Sequence, residues 1–229
     1  FESIDKEILL MHKRHFEIDP LTKKRISFGL VRFSNIKQCI AYSRHITMNF
    51  PSDIIDLRYV TYHAREVMLI RHMQECYLDR ILCRKEPLSI FEDAAIRKHI
   101  DTSDKQDITF VVVSSPVEEL GRDHDFDWAI IEPASYRSII QTSGRVLRHR
   151  DLKPIEANIG ILQYNWNSIF KDEDTPCYCN PGFETQEYLL TTHDLHDLIN
   201  EEEINQGITS IPRISFIEKV EVLDTFVSL

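Results

Sequence analysis

The chain has 229 residues, of which 42% are apolar and 28% charged, with a formal net charge of −10. That length buries one good core with at most a small appendage, in an ordinary globular composition. The acidic balance argues against nucleic-acid binding by the surface at large. It leaves room for a local basic stretch from Ala134 to Lys153, where Arg137, Arg145, Arg148, Arg150 and Lys153 face Asp151 alone.

No apolar run reaches the ~20 residues of a membrane span, and no signal peptide is visible. Five cysteines without a framework spacing point to a reducing compartment, the cytoplasm. The first residue is Phe1 and the last three, Val-Ser-Leu, continue an apolar pattern. Both ends read as cuts in a longer protein.

In chain order, Ser3 and Glu7 open a capped amphipathic helix to about Phe16, and Asp19-Pro20 breaks the chain there. Ile26 to Phe33 is an apolar strand. Asn35 can cap a helix from Ile36 to Phe50, stopped by Pro51-Ser52. Leu57 to Tyr62 is the next strand, followed by His63-Ala64-Arg65 and a long helix to about Cys83. That helix is expected to face inward through Val67, Leu69, Met73, Tyr77, Leu78 and Ile81. Arg84 to Asp107 is polar, with one helix at Ile90 to His99, and reads as a surface insertion. Ile108 to Val113 is a buried parallel strand. Short strands follow at Trp128 to Ile131 and Asn158 to Tyr164, the first leading to a helix that closes near Gln141. Asn165 to Phe183 reads as a wrapping loop. Thr191 with Asp194 makes a capping box for a helix over His193 to Glu203. Ile208 to Val222 has the pattern of one or two strands. The alternation of strand and helix predicts an α/β fold with an open, mostly parallel sheet and helices on both faces.

In such sheets ligands lie off the carboxyl ends of the strands. Arg32, Ser34 and Asn35, His63 and Arg65, Ser114 and Ser115, and Gly121 and Asp123 are all expected there. The helix end carries Gln141-x-x-Gly144-Arg145-x-x-Arg148, whose spacing places an amide and two guanidiniums on one side. Forked, permanently charged guanidiniums match phosphate oxygens, so the pattern fits a polyphosphate. A solvated basic helix end fits it too. Ser115 doubles as a turn residue before proline, His63 as a satisfied structural histidine.

QTSGRVLRHR resembles the sixth motif of superfamily 2 helicases, Q-x-x-G-R-x-x-R. SSPVEELGRDHDFD resembles their fifth, in which Ser or Thr precedes G-x-D. The longer string from Val111 to Arg150 is similar to the type I-F CRISPR-associated helicase–nucleases that work with Cascade. The match runs well from Ile26 to Tyr164 and more loosely to about Pro212. Many relatives carry Thr-Gln where this chain has Ser115-Pro116.

The resemblance implies a second RecA-like domain at 26–165, a lead-in helix and linker at 1–25, and a C-terminal extension at 166–229. It implies Arg148 as an arginine finger, Arg145 as a phosphate or interdomain ligand, and Gln141 as an orienting amide. Gly121 and Asp123 would meet the nucleotide or the motor's coupling network. Arg32, Asn35, His63, Arg65 and Ser115 would follow single-stranded DNA. ATP and Mg²⁺ would be gripped mainly by the first RecA-like domain of the same protein, with Cascade and an inhibitor protein as further candidate partners. The sequence has no G-x-x-x-x-G-K-[ST] loop and no D-E-x-H acid pair. By itself the chain is therefore expected not to turn over ATP. No metal site is expected, since Cys177-x-Cys179 lacks a second pair and His193-Asp194 lacks the partner histidines of the family's HD nuclease. Another superfamily 2 motor and an idle RecA-like scaffold that binds a protein partner also fit these residues.

Overall fold

The computed structural model describes residues 1–208 with the exception of 52, 87, 120, 173, 180 and 181. The strands expected after Ile208 lie outside those residues.

Six strands form one sheet: β1 (Glu17–Ile18), β2 (Arg25–Arg32), β3 (Asp56–Tyr62), β4 (Asp107–Ser114), β5 (Trp128–Ile131) and β6 (Ile159–Ile161). The order β3-β4-β2-β5-β6 is parallel throughout, and β1 adds antiparallel to the start of β2. This is the open, mostly parallel α/β sheet that the strand–helix alternation predicts. β2 and β4 lie inside it with both faces covered, which is why they read as unbroken apolar runs.

Successive residues of β2 supply opposite faces. Ile26, Phe28 and Leu30 join Ile108, Val112 and Ile131 beneath Leu78 and Ile81 of α3 (Met68–Ile81). Val31, Phe33, Val111, Val113 and Trp128 pack against α1 (Glu2–Arg14) and α2 (Ile36–Asn49). Gly29 stands in register with Trp128, and a Cβ there would lie 2.1 Å from the indole. Only glycine lets that ring cross the strand.

Several expectations are corrected. Arg84 to Asp107 is no surface insertion: Ile90, Phe91, Ile96 and Ile100 all enter the core, the last two from α4 (Ala94–Thr102). Its polar look comes from the outer face of that helix and from Asp93, which caps it by accepting from the Ala95 and Ile96 amides. Conversely, Val67, Met68, Leu69, Ile70 and Met73 are 60–77% exposed. Only the C-terminal half of α3 has the sheet beneath it. Ser3 sits inside α1 rather than capping it, the cap position being Phe1. The helix expected over His193 to Glu203 is two short ones, Leu195–Leu198 and Glu201–Asn205, capped by Asp194 and Asn200.

Candidate functional site

The residues expected along one edge fall into two groups. Arg32, Ser34, His63 and Ser115 do follow the carboxyl ends of β2, β3 and β4. α5 (Tyr136–Ser143) then runs back along the sheet, and the Gly144–Arg150 turn is fastened to the residues entering β5. The Phe126 amide donates to the Arg145 carbonyl at 2.8 Å, and the Leu147 amide donates to the Phe126 carbonyl at 2.9 Å. Leu147 has a left-handed φ of 49°. Gly121, with φ 68°, lets the chain turn between the two groups.

At the carboxyl ends, Arg32 is fully buried. It is ion-paired with Glu119 and donates to the Glu132 carbonyl at 2.8 Å. Burial lowers its pKa against the raising pull of Glu119. The expectation that Arg32 contacts DNA is therefore corrected, since a sealed, paired guanidinium presents nothing to a strand. Ser115 is buried as well, and its amide donates to the Tyr62 carbonyl at 3.1 Å. His63 is just buried, while Asn35 is half-buried and Arg65 exposed. The Asn35 amide group donates to the Ser34 hydroxyl at 3.2 Å.

Sequence reasoning passed over two acids that organise this end. Glu132 accepts from the Ser34 amide at 2.7 Å and from the Trp166 amide at 2.8 Å. Glu119 holds Arg32, accepts from the Ser138 hydroxyl at 3.1 Å, and offers its carbonyl to Arg145 at 2.9 Å. The position of Glu119 between Ser115 and Gly121 was the one available signal.

At the other end, Arg145 and Arg148 do not share a surface as their spacing predicts. The helix ends at Ser143, so the periodicity stops before either arginine. Arg145 turns inward and is 7% exposed; burial, then repulsion from Arg148, lowers its pKa. Arg148 stays outside, its side chain 38% exposed, and donates through Nε to Asp123 Oδ1 at 2.7 Å and through Nη1 to the Gly144 carbonyl at 3.1 Å. The hydrogen bond from Arg148 holds the Asp123 carboxyl below the usual carboxylate range. His149 Nε2 is 3.1 Å from the same oxygen, and Lys85 Nζ is 3.8 Å from its neighbour. Gln141 is half-buried in the last turn of α5.

Arg150 differs in kind. It meets Asp125 at 2.7 Å, and Asp127 at 2.6 Å and Glu17 at 2.7 Å through one nitrogen, while Arg84 bridges Asp127 and Glu17 from the other side, each at 2.6 Å. Burial alone would lower the Arg150 pKa, but the two aspartates outweigh it and raise it. His124 is enclosed between Glu118 at 2.6 Å and Asp79 at 2.9 Å. These are structural anchors of the loop before β5. Among the described residues no helix is long and apolar enough to cross a membrane.

Residues 25–151 match the family model described as CRISPR-associated nuclease/helicase Cas3, C-terminal. The Cas3 nuclease/helicase of subtype I-F/YPEST from Pseudomonas aeruginosa (strain UCBPP-PA14) is 41% identical over 179 residues, covering 77% of this chain and 16% of the relative. That from Pectobacterium atrosepticum is 37% identical over 217 residues, 93% of this chain and 19% of the relative. The chain thus spans less than a fifth of these curated relatives. Two solved structures of T. fusca Cas3, with AMPPNP and with ATP, are each 16% identical, with TM-scores of 0.48 and 0.46. They cover 74% and 70% of this chain and 18% and 16% of theirs. Because the matched span takes in β2 to β5, the buried Glu119 junction and the arginine turn, this chain belongs to the Cas3 C-terminal helicase family.

Proposed function

We propose that this chain is the second RecA-like lobe of an ATP-driven helicase–nuclease of CRISPR defence, which Cascade recruits to foreign DNA and which pulls single-stranded DNA. Its role is to bring Arg148 to a nucleotide held by the first lobe and to form one wall of the strand's path. The observation that carries this reading is the meeting of Arg148 with Asp123. Two residues from the two helicase-like motifs, far apart in the chain, lie 2.7 Å apart on an accessible face.

The strength of that contact matters. An exposed ion pair is worth about 0–1 kcal/mol, so Arg148 can exchange Asp123 for a phosphate at little cost. Arg150, held by three acids, cannot. Arg148 therefore suits the arginine-finger role, in which a cation meets charge developing on a transferred phosphoryl group. Arg145, lying behind it and bonded to Glu119, is a positioning residue for the turn. ATP, when bound, supplies the phosphoryl chemistry. The described residues offer it this cationic edge and no all-oxygen cluster of the kind Mg²⁺ takes. Asn35, His63 and Arg65 remain as contacts for the DNA strand at the other end of the sheet. Closure of the two lobes assembles the site, and opening after hydrolysis moves the strand.

The test uses the full-length parent protein, with DNA-stimulated ATP hydrolysis as the readout. Arg148→Ala is expected to lower turnover on the order of 10²–10³-fold with a smaller change in nucleotide affinity. Full activity in that variant would refute the finger role. Loss of DNA stimulation on Arg65→Ala, with basal hydrolysis retained, would separate the strand-contact role from it.

A further inference from the structure

We propose that Cys83, Asp123 and His149 form a zinc-binding site on the arginine face of this domain. Among the described residues these three bring a thiol, a carboxylate and an imidazole together, with donor atoms all within 4.8 Å of one another. The sequence offers no hint of it, because the three positions come from separate segments and follow no metal-ligand spacing.

The backbone holds the segments in place. Cys83 follows Leu82, whose carbonyl accepts from the Asp125 amide at 2.9 Å. The Asp125 carboxylate accepts from the His149 amide at 3.1 Å and is fixed from its other side by Arg150. Each ligand thus sits within two residues of an anchored atom, His149 through its own amide, and each is itself at least partly exposed. Tetrahedral zinc needs donor atoms about 3.3–3.8 Å apart, given its bond lengths of about 2.0–2.3 Å. Donors within 4.8 Å of one another therefore need to draw together by at most about 1–1.5 Å. His149 Nε2 already lies 3.1 Å from Asp123 Oδ1.

The donor set selects the metal. A thiolate with an imidazole suits zinc and is a poor donor set for Mg²⁺ and Ca²⁺, which take oxygen. Three protein ligands leave a fourth position for water. Arg148 and Lys85 compete for Asp123, but both pairs are exposed and such pairs are weak. On binding, the Cys83 thiol loses its proton to solvent, His149 Nε2 gives up the proton it donates to Asp123, and the zinc takes the Asp123 oxygen now held by Arg148. Zinc occupancy would thereby free Arg148 from its resting partner. That consequence rests on the role proposed for Arg148, whereas the binding does not.

The experiment titrates the reduced 229-residue chain with Co²⁺ in the absence of nucleotide and DNA, and reads the thiolate-to-cobalt charge-transfer absorption. One equivalent is expected to produce the band, Zn²⁺ to abolish it, and excess Mg²⁺ to leave it unchanged. Cys83→Ser should lose the band and His149→Gln should weaken binding at least tenfold, with circular dichroism confirming that both fold. Cys76→Ser should bind as the wild type. No band in the wild-type chain overturns the proposal. So does a band that survives Cys83→Ser, which would place the cation on Cys76 with its neighbour His72, or on the Cys177 and Cys179 thiols. Unchanged affinity in His149→Gln overturns it equally. Because the measurement is free of ATP, its failure would leave the finger role of Arg148 standing.

Discussion

Arg150→Ala should destabilise this domain severely, and the structure says where the damage falls. Arg150 serves Asp125 through Nε and Nη2, Asp127 and Glu17 through Nη1, and the Phe126 carbonyl through Nη2. After its removal Asp127 keeps Arg84 at 2.6 Å and the Phe28 amide at 2.7 Å, and Glu17 keeps Arg84 at 2.6 Å. Among the described residues Asp125 then keeps only the His149 amide at 3.1 Å, although it is fully buried. Breaking a buried pair and leaving one charge uncompensated costs about 3–5 kcal/mol. That is a large share of the ~5–15 kcal/mol that stabilises a domain. At about 2–4 °C per kcal/mol for this size, Tm should fall by roughly 6–20 °C. Arg150→Lys should recover little of it, since an ammonium cannot span three carboxylates as a planar fork does. Thermal melts of the isolated chain followed by circular dichroism give the answer. A loss below about 1 kcal/mol would mean that the cluster is hydrated and that the buried-anchor reasoning is wrong. Arg148→Ala, in the same melts, should stay within about 0.5 kcal/mol of the wild type.

Two further changes probe the frame around the site. Gly29→Ala drives a methyl group into the Trp128 ring and should cost at least about 1–3 kcal/mol, detectable as a shifted urea midpoint; an unchanged midpoint would mean that the indole can rotate away freely. Asp19 has a pKa lowered to about 2: burial alone would raise it, but hydrogen bonds from Arg97 and Thr22 prevail. Its folded value lies below the unfolded one, so its contribution is full above about pH 4 and is lost as pH falls towards 2. Stability should drop by about 2 kcal/mol through that window from this group, and Asp19→Asn should flatten that part of the curve; an equally steep curve in the variant would assign the loss to other carboxyls.

The sequence by itself determined the mostly parallel sheet, the alternation of its strands with helices and the helices on its two faces. Strand and helix periods are local, and an unbroken apolar run such as Ile108 to Val113 has few homes other than a doubly covered strand. It also determined that Arg145 and Arg148 stand in a helicase-like context, because that pattern is written in neighbouring residues. What only the tertiary structure decided is which charge meets which. Arg32 and Arg148 look alike as letters, yet one is sealed against Glu119 and the other rests on Asp123 in the open. Arg150 reaches back to Glu17 at the start of the sheet, a pairing no local pattern encodes. Likewise, helical spacing marks an apolar stripe on α3 but not whether a sheet lies beneath it, and here Leu78 and Ile81 are buried, Tyr77 is partly so, and Val67, Leu69 and Met73 are exposed. Burial and ion pairing are set by contacts between distant segments, so they become legible only once the chain has closed on itself.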